Sequence, residues 1–381
     1  MQGAPSTPVR STKTVSALCN LFLDAVSPNP YPGVERFGEV PLKPGSLQTD
    51  VSILRRHCDA RPFPMKGGTP TESGKRFGAL LVSEVTPADV KRLLDDMRDK
   101  GYVVNTRQKL HTILKQVFQY GIQIGWLKAD SDTGYRTAIQ ATLKPRGPRT
   151  VRAFLNASEA RTLLDVAHAS GNRWADAVEV LIRTGLRRGE LLGLQWGKVS
   201  LDDEGGWWML VDVALHREAE GLGRPSHLVL GPAKTTSSRR EVKLMPETVE
   251  ALKRQCERQQ AEQMAAGSRW IGGDAGSDDM PIFATIFGGW SETTVLNEGF
   301  RAIADAAGFP KLTIHGCRHT FVSIVGDQVL RETGKIDWQV LADLCGHTNP
   351  AVTRRVYAHL DQGVVDRVRR ASWDQAGEVR I

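Results

Sequence analysis

Residues 344–360 read LCGHTNPAVTRRVYAHL, and the interpretation of the whole chain starts from this stretch. Its pattern predicts a helix end, a Gly-His corner, an Asn-Pro turn and a second short helix. Pro350 suits the first turn of that helix, where the preceding asparagine can cap free amide groups. Tyr357 shares a turn with Arg354 and Arg355. A phenol near cations can act as a nucleophile, although a tyrosine with an apolar body and a wet tip is also a common packing residue.

Length and composition are those of a soluble globular protein. The 381 residues suggest two or three domains, and hydrophobic residues make up 40% of the chain and charged residues 24%. No apolar run is long enough to span a bilayer, and residues 1–14 lack the apolar core of a signal peptide. The five scattered cysteines are an odd number without a CxxC pair, which favours reduced thiols in a cytoplasmic protein.

Positive charge is concentrated in the front half of the chain and at one junction. The net charge is +7 overall. Residues 1–143 hold 19 Lys and Arg against 13 Asp and Glu, residues 144–157 hold four against none, and residues 158–381 hold 27 against 30. Such a distribution is expected of a chain whose front half lies along a polyanion. Charge alone leaves open the alternative of a basic surface that is merely solvated.

Residues 14–143 are predicted to form a small all-helical domain with basic outer faces. Apolar residues at helical spacing predict helices over 14–26, 46–58, 86–100 and 105–120. The strongest start signal is Thr86-Pro87-Ala88-Asp89, which combines a cap, a first-turn proline and an acid three positions after the cap. The polar side of the last helix carries Arg107, Lys109 and Lys115.

Residues 144–155 are predicted to be a basic linker between two domains. Two prolines and a glycine early in this segment are incompatible with a helix. It carries four cations, Lys144, Arg146, Arg149 and Arg152. Four cations in so short a segment predict that the linker binds DNA phosphates. The alternative is that the linker is an exposed hinge without a ligand.

Residues 156–360 alternate helical and extended patterns, which predicts an α+β domain that is mostly helical. Asn156 and Glu159 open it with the spacing of a capping box. Helices are predicted near 158–169, 174–186 and 246–265, after 291, after 312, at 336–345 and at 350–359. The segments 207–215, 226–230 and 240–244 are predicted to be strands of one small antiparallel sheet.

Four separated motifs in this second part carry side chains suited to catalysis. They are Arg187 with Glu190 in TGLRRGEL, Lys234 in GPAKTTSSRR, His315 with Arg318 in HGCRH, and His347 with Tyr357 in the stretch quoted first. The first arginine is predicted to lie at a turn entering a helix, and the lysine at the tip between two strands. The i,i+3 spacing of HGCRH puts its first histidine and its arginine on one helical face. Each motif alone is weak, because an Arg-x-x-Glu pair is usually a surface feature.

In these motifs and in their order the chain resembles the tyrosine recombinase, or phage integrase, family. TGLRRGELLGLQW is similar to the first box of that family, HGCRHTFVSIV to its second, and LCGHTNPAVTRRVYAHL to its tyrosine box. With the basic helical part in front, the resemblance covers about residues 14–360. Cys317 stands where the family usually has leucine, and the ten-residue spacing from His347 to Tyr357 is one of two expected in the family.

The resemblance implies a catalytic set and a role for each member. The set is Arg187, Lys234, His315, Arg318, His347 and Tyr357. The tyrosine would attack a phosphodiester in line and hold the DNA as a 3′-phosphotyrosine, while both arginines and His347 stabilise charge on the non-bridging oxygens. The lysine would protonate the leaving 5′-oxygen, and His315 would accept the proton of the tyrosine or support the phosphate. No metal, nucleotide or other cofactor is implied.

A zinc site is the competing chemistry. The potential ligands are His315, Cys317, His319, Cys345 and His347. They lack a CxxC or HExxH spacing, and Arg318 at the centre of the group would repel a cation. We therefore expect Cys317 and His319 to be buried packing residues behind the active face.

The resemblance also implies a fold with an N-terminal all-α, SAM-like domain that binds core DNA and a C-terminal α+β catalytic domain. The expected bounds are a polar tail 1–13, a helical domain 14–143, a linker 144–155, a catalytic domain 156–360 and a C-terminal tail 361–381. The short polar tail leads us to expect no separate arm-binding module. The apolar residues of the C-terminal tail are expected to dock either on a neighbouring subunit or on their own domain.

The expected function is site-specific recombination by the integrase of a phage, plasmid or other bacterial mobile element. The expected partner is double-stranded DNA, bound by the basic residues of the helix over 105–120 and of the linker. A homo-tetramer is expected to act on two duplexes. Accessory DNA-bending or directionality factors are further partners to be expected. A type IB topoisomerase or hairpin-forming resolvase is one alternative, and a DNA-binding regulator that does not cut is another. The intact catalytic set argues against the regulator.

Overall fold

The chain divides into two compact units, each with a buried apolar core. The first unit takes in residues 1–149 and 217–227, and the second takes in 150–216 and 228–381. The computed structural model describes residues 13–60, 70–127, 142–147, 153–219, 226–232, 239–344, 350–351 and 354.

Helices build the first unit between residues 13 and 127. They are α1 (Val15–Ala25), α2 (Pro44–Cys58), α3 (Glu72–Ala79), α4 (Pro87–Asp99) and α5 (Val104–Gln123), with a 3-10 turn at Val82–Glu84. Thr14 caps α1 by accepting a hydrogen bond from the amide of Ala17 at 3.2 Å. Thr86 and Asp89 cap each other at the start of α4, so the predicted capping box is confirmed.

Four helices of this unit were predicted, and α3 was missed. Its sequence contains Gly74 and Gly78, which weaken a helix when only local propensity is considered. Both glycines lie directly against the end of α2. A Cβ atom at Gly74 would stand 2.5 Å from the carbonyl oxygen of Arg56, and one at Gly78 would stand 2.3 Å from that of Cys58. Packing against α2 rather than propensity therefore explains this helix.

The second unit combines helices with short strands. Its elements are α6 (Ala157–Ala169), α7 (Ala175–Thr184), α8 (Arg188–Leu192), β1 (Val199–Leu201), β2 (Trp207–Val211), β3 (Val213–Ala219), β4 (Ser226–Pro232), β5 (Arg240–Lys243), α9 (Pro246–Ala266), α10 (Thr293–Ala306), α11 (Ile314–Thr333) and α12 (Trp338–Leu344). Strand β3 and strand β4 each reach into the segment 217–227 that groups with the first unit. The predicted capping box of Asn156 and Glu159 opens α6.

The prediction of one strand over residues 207–215 is wrong. This segment is two strands, β2 and β3, which belong to different sheets and meet at Asp212. The carboxylate of Asp212 pairs with Lys198 at 2.9 Å. One antiparallel sheet has the order β1-β2-β5, with Met209 opposite both Val199 and Val242, and the other consists of β3 and β4. The short strand β1 was not predicted.

Helix α7 forms the centre of the second unit. Each of its residues except Arg183 is buried, and the helix packs against α6, α9 and α11. Two of the buried side chains are acidic, Asp176 and Glu179, and Arg254 of α9 bonds to both at 2.9 and 2.8 Å. This pairing explains how charged side chains are accommodated in a helix whose residues are nearly all buried. No helix of the described chain is both long and apolar enough to cross a membrane.

Candidate active site

The first motif forms a tight turn between α7 and α8. Gly185 ends α7 in the left-handed region with φ +64°, where a side chain would be strained. Arg187 then precedes α8, and its amide donates to the Glu190 carboxylate at 2.9 Å. The Arg187 guanidinium donates to the same carboxylate at 2.6 Å. The prediction that Arg187 lies at a turn entering a helix, with Glu190 one helical turn later, is therefore confirmed.

Glu190 is buried beneath that turn and pairs with a second arginine. Its side chain is 2% exposed, whereas that of Arg187 is 28% exposed. Arg240, the first residue of β5, donates to the Glu190 carboxylate at 3.1 Å. Burial by itself would raise the pKa of Glu190, but the charges of Arg240 and Arg187 and the Arg187 amide bond outweigh it and hold that pKa below its ordinary value. Neither Glu190 nor Arg240 was in the predicted catalytic set.

The HGCRH motif lies at the start of α11. Thr313 caps this helix by accepting from the amide of Gly316 at 3.0 Å. Arg318 is only 1% exposed, and its guanidinium donates to the carbonyl oxygen of Gly185 at 2.7 Å. A Cβ atom at Gly185 would stand 2.4 Å from the ring of Phe321, one turn further along α11. The bond from Arg318 to Gly185 joins two motifs across 133 residues of the chain.

The histidines of α11 differ in exposure. His315 is exposed, His319 is 5% exposed, and their rings meet edge to face with 4.8 Å between centroids. Cys317 is fully buried, and burial raises the pKa of its thiol well above the ordinary value. The prediction that Cys317 and His319 are buried packing residues is confirmed.

The described residues bring together a different set of potential metal ligands from the one considered above. His168, Asp176 and Glu179 offer ligand atoms within 4.8 Å of one another. Both carboxylates of this group are already bound by arginines, including Arg258 to Asp176 at 3.0 Å. Arginines in these positions oppose the binding of a cation.

Three predicted catalytic residues, Lys234, His347 and Tyr357, lie outside the described residues. Around the tyrosine motif, residues 350, 351 and 354 are helical, in agreement with the short helix predicted there.

The predicted DNA-binding residues of α5 have different surroundings. Lys115 is exposed, whereas Lys109 pairs at 2.6 Å with Asp50, whose side chain is 2% exposed. Arg107 lines a cavity of about 350 Å³ together with Lys91 and other residues of α4. Lys109 thus stabilises a buried carboxylate, a role that its position on a polar helix side did not indicate.

Two of the linker cations, Lys144 and Arg146, are exposed on a segment that is bound to the helices of the first unit. Gln108 donates to the carbonyl of Pro145 at 2.6 Å, and the His111 ring is 3.0 Å from the carbonyl oxygen of Thr142. Residues 142–147 are therefore held against α5. Arg149 and Arg152 lie outside the described residues.

Two known proteins are similar to this chain in sequence. The chain is 25% identical over 286 residues to a "Tyrosine recombinase XerC-like" protein of Caldanaerobacter subterraneus, covering 74% of this chain and 69% of that protein. It is 23% identical over 335 residues to the transposase from transposon Tn916 of Enterococcus faecalis, covering 83% of this chain and 75% of that protein.

Solved structures show the same architecture. The integrase of transposon Tn1549, in complex with transposon right end DNA, superposes with a TM-score of 0.62 at 19% identity over 93% of this chain and 99% of that one. A lambda integrase (75–356) dimer bound to a core site superposes with a TM-score of 0.52 at 14% identity. The match covers 83% of this chain and 89% of that one. These likenesses show a mostly helical fold with small antiparallel sheets.

The family model described as "Phage integrase family" matches residues 153–363, which is more than half of the chain and contains all four motifs. Inside this range the Arg318 guanidinium donates to the carbonyl oxygen of Gly185, in the turn that carries Arg187. The chain therefore belongs to the phage integrase family, and it is a tyrosine-type site-specific recombinase that breaks and rejoins DNA.

Proposed function

We propose that this recombinase cuts DNA with Tyr357 and that Arg187, Lys234, His315, Arg318 and His347 complete its active site. The observation that carries the proposal is the bond from the Arg318 guanidinium to the carbonyl of Gly185 at 2.7 Å. It supports two arginines acting on one phosphate, since Arg187 follows Gly185 closely in the same turn. His315 is exposed on the first turn of the helix that carries Arg318, which supports its access to DNA.

Each residue has a chemical task in the proposed reaction. The phenolate oxygen of Tyr357 attacks phosphorus, the bond to the 5′-oxygen breaks, and that oxygen takes a proton from Lys234. The guanidinium groups of Arg187 and Arg318 donate to the non-bridging oxygens, where negative charge grows in the transition state. His347 adds a donor, and His315 accepts the phenol proton or supports the phosphate. Attack by another 5′-hydroxyl reverses these steps and rejoins the DNA.

The first unit is proposed to be a SAM-like domain that binds the core site. The exposed Lys115, Lys144 and Arg146 support this role, because cations on a helical unit can neutralise backbone phosphates. Arg107, Lys109, Arg149 and Arg152 complete the proposed DNA-binding set. The proposed division is a tail 1–13, a DNA-binding domain 14–143, a linker 144–155, a catalytic domain 156–360 and a tail 361–381.

The proposed assembly is a homo-tetramer on two duplexes, because exchanging strands between two sites requires four cleavages. Double-stranded attachment sites are the substrate, and accessory bending or directionality proteins are further partners. The proposed place of action is the nucleoid in the bacterial cytoplasm, where chromosomal and element DNA are both available.

A covalent adduct tests the proposal. Wild-type protein is incubated with a nicked core-site duplex that traps the cleaved state, and the products are separated under denaturing conditions. We expect an adduct with the wild type and with Tyr31→Phe, a control that changes an exposed tyrosine of the first unit. Tyr357→Phe should bind the duplex with unchanged affinity and form no adduct, because only the nucleophilic oxygen is lost. An adduct with Tyr357→Phe would disprove the assignment.

Strand transfer between two labelled duplexes then tests the assembly. Recombinant products at a protein concentration that supports tetramers are the expected result. Relaxation of supercoiled DNA without any exchange between duplexes would instead indicate topoisomerase-like action.

A further inference from the structure

Glu190 connects two arginines that come from different parts of the second unit. Its carboxylate accepts from the Arg187 amide at 2.9 Å, from the Arg187 guanidinium at 2.6 Å and from the Arg240 guanidinium at 3.1 Å. The Glu190 side chain is 2% exposed and that of Arg240 is 9% exposed, whereas that of Arg187 is 28% exposed. One arginine of this triad is therefore partly open to solvent, and the other is enclosed.

The two arginines differ in position as well as in exposure. Arg187 can reach a ligand from the surface of the turn, but Arg240 is enclosed beside the carboxylate. A carboxylate paired with one guanidinium forms a group with no net charge. With two guanidinium partners the group keeps one positive charge, so Arg187 is oriented by Glu190 and can still bind an anion.

The position of Arg240 in the chain gives the triad a second consequence. Arg240 is the first residue of β5, and β5 is the strand that follows the segment containing Lys234. Its bond to Glu190 attaches the start of that strand to the Arg187 turn. Strand β5 is also paired with β2, where Arg240 lies opposite Val211. The start of β5 is thus held on one side by the sheet and on the other by Glu190.

We propose that Arg240 is a positioning residue of the recombinase, which acts through Glu190 to hold the Arg187 turn and the strand after Lys234 in one arrangement. The proposal rests on the function proposed above for Arg187 and Lys234. It assigns Arg240 no contact with DNA. The loss of Arg240 should therefore slow cleavage and leave the affinity for DNA unchanged.

The test compares Arg240→Met with Arg240→Lys on the nicked duplex. Methionine keeps much of the volume and removes the charge, and we expect the rate of adduct formation to fall about 10- to 100-fold, as displacement of catalytic groups by an ångström does. Lysine restores one charged bond to Glu190 and should recover most of that rate. The dissociation constant for an intact duplex should stay within about twofold of the wild type, since no phosphate contact is removed.

A matched control separates positioning from simple loss of stability. Arg254 also bridges two buried carboxylates, those of Asp176 and Glu179, in the same unit. Arg254→Met also removes a charge that pairs with buried carboxylates, but it should leave cleavage per folded molecule unchanged. If Arg254→Met slows cleavage as much as Arg240→Met does, or if Arg240→Met cleaves at the wild-type rate, the proposal is wrong.

A double-mutant cycle with Glu190→Gln tests the route of action. If Arg240 acts through Glu190, the double variant should cleave no more slowly than the slower single variant, whereas losses that multiply would overturn the proposal. If Arg240→Met does not fold, the cycle is measured with Arg240→Gln, which also removes the charge, and a wild-type rate for that variant overturns the proposal equally. Failure of the proposed function is distinguishable, because Arg187→Ala would then cleave normally as well.

Discussion

Substitution of Gly185 should damage both the stability of the second unit and its active site. In Gly185→Ala the new Cβ atom has two separate costs. The backbone φ of +64° is strained for alanine by about 1–2 kcal/mol. The methyl group would also stand 2.4 Å from the Phe321 ring, and overpacking of this kind costs about 1–3 kcal/mol. We therefore expect the free energy of unfolding to fall by about 2–5 kcal/mol.

Gly334→Ala is the matched control for the backbone cost. Gly334 ends α11 with φ +73°, and a Cβ atom there would have no heavy atom within 4 Å. Its substitution should cost only the strain of about 1–2 kcal/mol. Both alanines reduce the entropy of the unfolded chain equally, so that contribution cancels in the comparison. The difference between the two variants then measures the contact with Phe321.

Urea unfolding monitored by tryptophan fluorescence measures these free energies. Adduct formation per folded molecule reports the site, where Gly185→Ala should lose about tenfold because the carbonyl that holds Arg318 moves. The Gly334→Ala variant should keep the wild-type rate once corrected for its folded fraction. If Gly185→Ala is no less stable than Gly334→Ala, the close approach of Phe321 is not the reason for the glycine, and the reasoning fails.

Three further predictions concern the general acid, a buried ion pair and a buried histidine. Lys234→Ala should fail on ordinary DNA but recover on a substrate whose leaving 5′-oxygen is replaced by sulfur, because a thiolate leaves without a proton. A variant equally inactive on both substrates would make Lys234 a binding residue. Lys109→Met should lower the free energy of unfolding by about 2 kcal/mol, because it leaves the buried Asp50 carboxylate unpaired. The exposed Lys115→Met should not lower it. Equal urea midpoints for the two variants would contradict this prediction. Burial lowers the pKa of His57 from 6.5 to about 4. As the pH falls from 6.5 to about 4, the imidazole is therefore protonated in the unfolded chain but not in the folded one. The free energy of unfolding should decrease by about 3 kcal/mol from this group as the pH is lowered through that window, and His57→Phe should remove that part of the pH dependence.

Local sequence signals determined most of the helices and several of their ends, with α3 as an exception. Thr14, the Thr86–Asp89 box and the Asn156–Glu159 box each act within one helical turn, so residue type and spacing suffice to predict them. The spacing of apolar residues likewise accounts for the buried face of α2, which carries Leu47, Val51 and Leu54. The residue types and order of the four motifs also indicated the family before any tertiary contact was known.

Tertiary structure decided which side chains share an environment. The sequence shows an arginine followed by a glutamate after TGL, but not that the glutamate is buried or that Arg240 is its second partner. Nor does any local pattern indicate that Lys109 pairs with Asp50, or that residues 207–215 divide between two sheets. These features depend on contacts between segments far apart in the chain. Burial and charge pairing arise only when such segments pack, and for that reason spacing along the sequence could not predict them.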